Sequence, residues 1–179
     1  MKDYYNYFVN KGNHPNKNNI LKQEEYCFKT FNQNTALQII QQIIEAAKAY
    51  DKPFASRIVY RDKIIAEYSE LENTSWLNRK EKVCYETKHS SYYIFLDNMQ
   101  SHLYDYMIDN ESYGICGGSF PLYENDEFVG TITFTGLRPQ EDHGVIIQVL
   151  EKVFQERNLN IFFCDIYHAF YIYLLFLIC

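Results

Sequence analysis

Residues 117–143 read GGSFPLYENDEFVGTITFTGLRPQEDH, and the punctuation of this stretch decides the fold class. Paired glycines at 117 and 118 are too costly in backbone entropy to sit inside a helix. Pro121 drives Phe120 toward an extended conformation. Glu124–Glu127 is polar and turn-prone. Thr131–Thr135 then alternates polar and apolar, the period of a strand with one buried face. The pattern predicts a β-hairpin. Gly136 ends its second strand, and Pro139 suits the first turn of a helix. Glu141 and Asp142 lie at the positive end of that helix dipole. Ile146, Val149, Leu150, Val153 and Phe154 follow at helical spacing, which predicts a helix over about 139–156.

Upstream, Thr35 and Gln38 have the spacing of a capping box. Leu37, Ile40, Ile44 and Ala47, widened by Ile39 and Ile43, give a helix over about 35–50, ended by Lys52-Pro53. Residues 54–60 and 63–68 read as strands joined at Arg61-Asp62, although Asp suits such a turn less well than Gly. A helix over 73–88 is capped by Asn73 or Thr74. Trp76, Val83, Cys84 and Thr87 fall near one of its faces, and Arg79, Lys80, Lys82 and Lys88 add positive charge. The aromatic run 90–99 reads as a buried helical segment and 101–109 as a short helix. Residues 20–31 read as a short helix leading inward, and 1–19 as a mobile tail. Helix, hairpin, helices, hairpin and helix together predict an α+β fold, an antiparallel sheet flanked by helices.

The expected domain is 35–156, after an N-terminal tail and lead-in segment over 1–34. Residues 157–179 form an atypical apolar tail. Within it, 161–179 reads IFFCDIYHAFYIYLLFLIC, interrupted by Asp165 and His168. Its uninterrupted part is shorter than the roughly 20 residues a membrane span needs. A tail packed on the domain or a partner subunit, a tail anchor and a non-native extension stay open, and membrane contact is not favoured.

The chain of 179 residues is long enough for one domain with a real core. Its net charge of −6, without an arginine-rich patch, argues against a nucleic-acid partner. The five cysteines form no Cys-x-x-Cys pair, so neither a disulfide framework nor a zinc site is expected. Free thiols suit a reducing compartment. With no apolar signal core in residues 1–10, the expected location is cytoplasmic.

Trp76, Arg79 and Lys80 share one helix face. An aromatic plane beside a guanidinium and an ammonium suits a carboxylate or phosphate. The alternative places Trp76 in the core and Arg79 opposite an acid across a subunit contact. His89, ahead of Ser90 and Ser91, is either an iron ligand or a helix cap or hydrogen-bond partner. His143 sits beside Asp142, but adjacent residues on a helix point apart, so the two make no dyad by themselves. A functional base and a structural cap or interface residue are both open for it. Gly117-Gly118 lets backbone approach closely, for a turn, for strand packing or for a ligand over exposed amides. No nucleotide loop follows. No Ser-His-Asp order, metal-ligand spacing or paired-carboxylate pattern marks a reaction, so no catalytic or metal residues are assigned.

Several pieces, in order and in register over about 35–155, resemble the small haem-degrading-domain proteins of the GlcG/HbpS-like superfamily. They are Asn73-x-x-Trp76-x-x-Arg79-Lys80, His89-Ser90-Ser91-Tyr92, Gly117-Gly118-x-Phe120-Pro121, Val129-Gly130-Thr131, Thr135-Gly136-Leu137 and Glu141-Asp142-His143. The resemblance implies a profilin-like sandwich assembled into dimers or larger rings, with haem as candidate cofactor. Departures are Asp62 in place of the usual turn glycine, a shortened loop at 69–72, and 161–179, which has no counterpart. The expectation is a cytoplasmic homo-oligomer that binds haem or another small anion through Trp76, Arg79, Lys80, His89, Ser90, Gly117, Gly118, Phe120 and His143. A non-catalytic assembly protein is the alternative, and a haem-degrading enzyme the third reading. Trp76, Arg79 and 117–121 are expected at or beside a subunit contact.

Overall fold

The computed structural model describes residues 2–11 and 13–156. Helices α1 (Lys2–Val9) and α2 (Lys17–Lys22) lead through a 3-10 turn, Gln23–Glu25, into β1 (Cys27–Phe28). Helix α3 (Gln33–Ala47) is followed by the hairpin β2 (Ala55–Tyr60) and β3 (Lys63–Ser69). Then come α4 (Ser75–Thr87), α5 (Ser91–Ser101), α6 (Asp105–Ile108) and the hairpin β4 (Ser119–Glu124) and β5 (Glu127–Thr135). Helix α7 covers 139–156. The strand order is β1-β4-β5-β2-β3. This is the α+β sandwich that the hairpins imply, with one correction. Strand β1 pairs parallel to β4, so the sheet is mostly, not wholly, antiparallel. A strand of two residues has no period to read, and residues 27–28 fall where a helix is expected.

Register places the residues in rows across the sheet. Phe120, Ile132, Ile58 and Ala66 stand side by side on one face. They pack on Ile39, Ile43, Val145 and Val149 of α3 and α7 to form the main core. The next row, Ser119, Thr133, Arg57 and Glu67, points to the other face, toward α4. That face is buried too: Thr131, Thr133 and Thr135 are all covered. The alternation in 131–135 therefore separates an apolar buried face from a polar buried face, not inside from outside. A second apolar cluster, with Val83, Ile94, Phe95 and Met107, lies among the helices.

Both hairpin turns use two consecutive left-handed residues, Arg61 and Asp62 (φ 49° and 61°) and Asn125 and Asp126 (φ 50° and 65°). This is the turn whose twist matches that of paired strands. Arg61 is unusual there. Its amide donates to Val129 O at 2.7 Å and its guanidinium to Glu124 at 3.0 Å. Helix α3 starts two residues before the expected capping box: Asn32 Oδ1 accepts from Thr35 N at 3.1 Å, and Thr35 is inside the helix and buried. Gly117 and Gly118 serve close packing within the chain. A Cβ at 117 would lie 1.8 Å from Pro139 O, and one at 118 would lie 2.3 Å from Phe134 O, with φ already at +119°.

Where a mobile tail is expected over 1–19, the structure has α1 and α2. Tyr5 is buried against Phe95, its hydroxyl accepts from Asn98 at 3.3 Å, and Lys17 pairs with Asp97 at 2.5 Å. Helices of eight and six residues are too short to persist alone, so only tertiary contacts reveal them. The expectations for 157–179 fall outside the described residues. Among the described residues no helix is long and apolar enough to cross a membrane.

Candidate functional site

Helix α4 lies on the polar face of the sheet and sends two charged side chains into it. Lys80 is 1 % exposed. Its ammonium donates to Asp142 Oδ2 at 2.5 Å, Phe134 O at 3.1 Å and Thr135 Oγ1 at 3.2 Å. Three donors meet three acceptors, which saturates the group. Asp142 also accepts from Leu137 N at 2.9 Å, so the pair fixes the entry to α7. Burial pushes the Asp142 carboxyl up, and Lys80 opposes that shift. Arg57 donates to Glu67 at 2.6 Å and to Asn78 at 2.5 Å, and lies 3.4 Å from Glu81. Burial pushes the Glu81 carboxyl up against the pull of Arg57, and Glu81 Oε1 has no hydrogen-bond partner. Ser91, Ser119 and Thr133 continue the polar layer through bonds of 2.9 Å.

At the rim of this layer the Arg79 guanidinium lies 4.6 Å from the centre of the Trp76 ring. Arg79 Nε is buried without a partner. Arg79 lines an open cleft of about 670 Å³ together with Ser75, Asn78, Lys82, Glu111 and Ser112. Tyr4 of α1 packs on the Trp76 ring at 4.7 Å. Beneath it Cys116 is fully buried, and burial pushes its thiol up to about 11.

The two histidines lie elsewhere. His89 Nδ1 is 2.7 Å from Glu24 Oε2, while Glu24 Oε1 accepts from the Ser90 amide at 2.7 Å. The hydrogen bond to Glu24 raises the His89 pKa. Ser90 Oγ caps α5 through Tyr93 N at 3.2 Å. His143 is 3 % exposed, and its Nε2 lies 2.9 Å from Gln23 Oε1. Nδ1 has no partner, and the Tyr92 and Phe120 rings lie 5.1 and 6.1 Å away. Burial pushes this imidazole down to about 3, so it is neutral. A cavity of about 310 Å³ beside it is lined by Gln23, Tyr92, Gln140, Gln148 and Glu151, among others.

The nine expected residues therefore divide. Arg79 lines the cleft, and the Trp76 ring is stacked behind it. Lys80, Gly117 and Gly118 are buried beneath, against each other and α7. His89, Ser90 and His143 are met by the 3-10 turn, and Phe120 is buried in the main core beside His143. Asp142 and His143 face different partners, Lys80 and Gln23, and form no dyad. Sequence reasoning misses Arg57, Glu67, Asn78 and Glu81. The one signal was the row of threonines in 131–135, which a helix packed on that side turns inward.

Residues 31–151 match the family described as haem degrading protein HbpS-like. The chain belongs to this family. A UPF0303 protein of Psychromonas ingrahamii is 29% identical to the HbpS-like chain over 140 residues, 73% of this chain and 88% of that one. A UPF0303 protein of Zymomonas mobilis is 28% identical over 140 residues, 73% of this chain and 75% of its own. Among solved structures, the Ybr137w protein superposes with TM-score 0.71 at 23% identity, covering 81% of this chain and 91% of its own. A PduOC–haem complex gives 0.57 at 13% identity, with coverage of 68% and 94%. HbpS itself gives 0.55 at 13%, with coverage of 72% and 94%. These superpositions establish the shared fold.

The HbpS-like fold raises the question of haem. A haem held by an axial imidazole, with cations on its carboxylates, needs both in one cavity. The cavity at His143 has no Lys or Arg in its lining, and the Arg79–Lys82 cleft has no histidine. His89 is 39 % exposed but is held by Glu24. The arrangement does not fit axial ligation. Among the described residues no cluster of three or more His, Cys, Asp or Glu could hold a metal ion.

Proposed function

We propose that this HbpS-like chain is a binding protein for a small organic anion, seated at the Arg79–Lys82 cleft. One observation carries the reading: Arg79 is held against the Trp76 ring and lines an open cleft with a second cation, Lys82. A guanidinium held by stacking loses little further freedom on binding and presents its fork to a carboxylate or phosphate. Lys80 is not part of this seat, because Asp142 neutralises it. Haem stays in view as a ligand that bears carboxylates. The family description and the PduOC–haem complex support it. A reducing, cytoplasmic setting suits Cys27, Cys84 and Cys116, which are free thiols.

Trp76 is the sole tryptophan, so its fluorescence reports on the seat. Titration with small carboxylates and phosphate should change that signal saturably. Arg79→Ala should weaken binding by roughly 1–3 kcal/mol, the cost of a lost charged hydrogen bond. Equal affinity in wild type, Arg79→Ala and Lys82→Ala would refute the assignment.

The assembly reading keeps one observation of its own. Strand β3 is an edge of the sheet, and its Ile64 is 56 % exposed. Unpaired edges invite pairing with another chain, which supports a homodimer through β3. Light scattering over a dilution series tests it, and a monomer at every concentration rules it out.

A further inference from the structure

The cavity beside His143 is separate from the Arg79–Lys82 cleft, since the two share no lining residue. It lies between the 3-10 turn, Tyr92 of α5 and helix α7. Its volume of about 310 Å³ has room for roughly ten non-hydrogen atoms at about 30 Å³ each, the share of one water. The lining holds no Lys or Arg, and its one carboxylate, Glu151, is exposed. Burial alone pushes His143 down to about 3 and the Tyr92 phenol up to about 12, with no charged neighbour contributing to either shift. The inner wall is therefore polar and uncharged.

Packing does not account for two features of this wall. His143 is 3 % exposed, its Nε2 lies 2.9 Å from Gln23 Oε1, and its Nδ1 has no partner. With the proton on Nε2, Gln23 accepts it, Nδ1 is left as an acceptor and the Gln23 amide nitrogen as a donor. In the other tautomer, with the amide turned, the two roles exchange. Either way the pair leaves one donor and one acceptor over. The second feature is Gly144, which also lines the cavity. It lies inside α7, where glycine is less favourable than alanine. Yet a Cβ there would meet nothing within 4 Å. The missing side chain keeps the wall open at that point.

We infer that this cavity is a binding site for a small uncharged molecule bearing a primary carboxamide, with Gln23 and His143 as its anchor and Gly144 as the gap that admits it. A primary carboxamide carries an N–H donor and a C=O acceptor on one carbon. It therefore satisfies the Gln23–His143 pair in either tautomer. A carboxylate brings no donor, and its charge would be buried against a wall without a cation. The apolar body of the ligand rests on Ile20 and Ile147, which are buried and line the same cavity. Apolar walls with a few convergent polar groups are the usual makeup of a small-molecule site. The inference goes beyond the anion seat at Arg79 and does not rest on it.

The test is a titration of the isotope-labelled chain with benzamide and with benzoate, its anionic isostere, followed by amide and imidazole NMR. Benzamide should shift the signals of Gln23, His143 and Gly144 saturably. Benzoate should leave those signals unmoved, even where it shifts Arg79 and Trp76 at the other cleft. Gly144→Leu, which sends a side chain into open space, should fold like wild type and bind benzamide more weakly by about tenfold or more. Gln23→Ala keeps the cavity and removes half of the anchor. It should weaken benzamide by about tenfold, the equivalent of one lost hydrogen bond to a buried group. Equal benzamide affinity in wild type and either variant would overturn the site. Benzoate binding as tightly as benzamide at the same signals would overturn it as well, and so would the absence of a saturable shift with benzamide.

Discussion

Under α3 and α7 the sheet presents Phe120, Ile132, Ile58 and Ala66; under α4, one residue along each strand, it presents Ser119, Thr133, Arg57 and Glu67. Both rows lie under helices. The first is held by area, which is non-directional and adjusts to changes of shape. The second is held by paired charges and hydrogen bonds, which fail when one partner is removed. One face can therefore drift with modest loss. On the other, a single substitution leaves a buried charge alone.

Lys80→Ala gives the largest expected break in this contrast. It leaves Asp142 buried without its cation, at a cost of about 3–5 kcal/mol, measurable by denaturant unfolding. The double variant Lys80→Met/Asp142→Leu should recover a large part of the loss. If Lys80→Ala melts like wild type, the polar face is not held by this pair.

Acid should sharpen the contrast next. In the unfolded chain His143 titrates near 6.5, whereas in the fold burial holds it at about 3. Between those values the unfolded chain binds more protons. Its contribution to stability is therefore full above the unfolded value and falls as pH drops below it, by up to about 1.4 kcal/mol per pH unit. His89 works the other way. Its raised pKa stabilises the fold below the ordinary histidine value, and that gain is lost as pH rises through the raised one. Unfolding free energies measured from pH 4 to 8 in wild type and His89→Gln separate the two. A flat wild-type profile below 6.5 would mean that His143 is not held neutral.

The smallest effect belongs to the apolar face. Ile132→Val should cost about 0.5–1.5 kcal/mol, the usual range for one buried methylene. A cost matching that of Lys80→Ala would erase the difference between the faces.

The fold was largely legible. The two hairpins, α3, α4 and α7 follow from Gly, Pro and Asp-Asn punctuation and from 3.6-residue spacing. What escaped was set by distant contacts. Strand β1 exists because Cys27 and Phe28 lie beside Tyr123 and Glu124, and α1 because Tyr5 finds Phe95. The candidate site was legible as residue types but not as a place. Lys80 reads as a surface cation until Asp142, 62 positions later, is put beside it. Arg57 and Glu81 carry no local mark, since a charged residue in a strand or helix reads as solvent-facing.

Strand β1 has a further consequence. Phe28 O accepts from Asn125 N at 2.9 Å, the Asp126 amide lies 3.2 Å from Cys27 Sγ, and the Phe28 ring packs on Phe31 and Phe154. The chain is thereby tied to the sheet edge directly after Glu24 and Glu25. Any movement of the helices ahead of it is confined to the reach of the chain from this anchor, roughly 3.3–3.6 Å per residue.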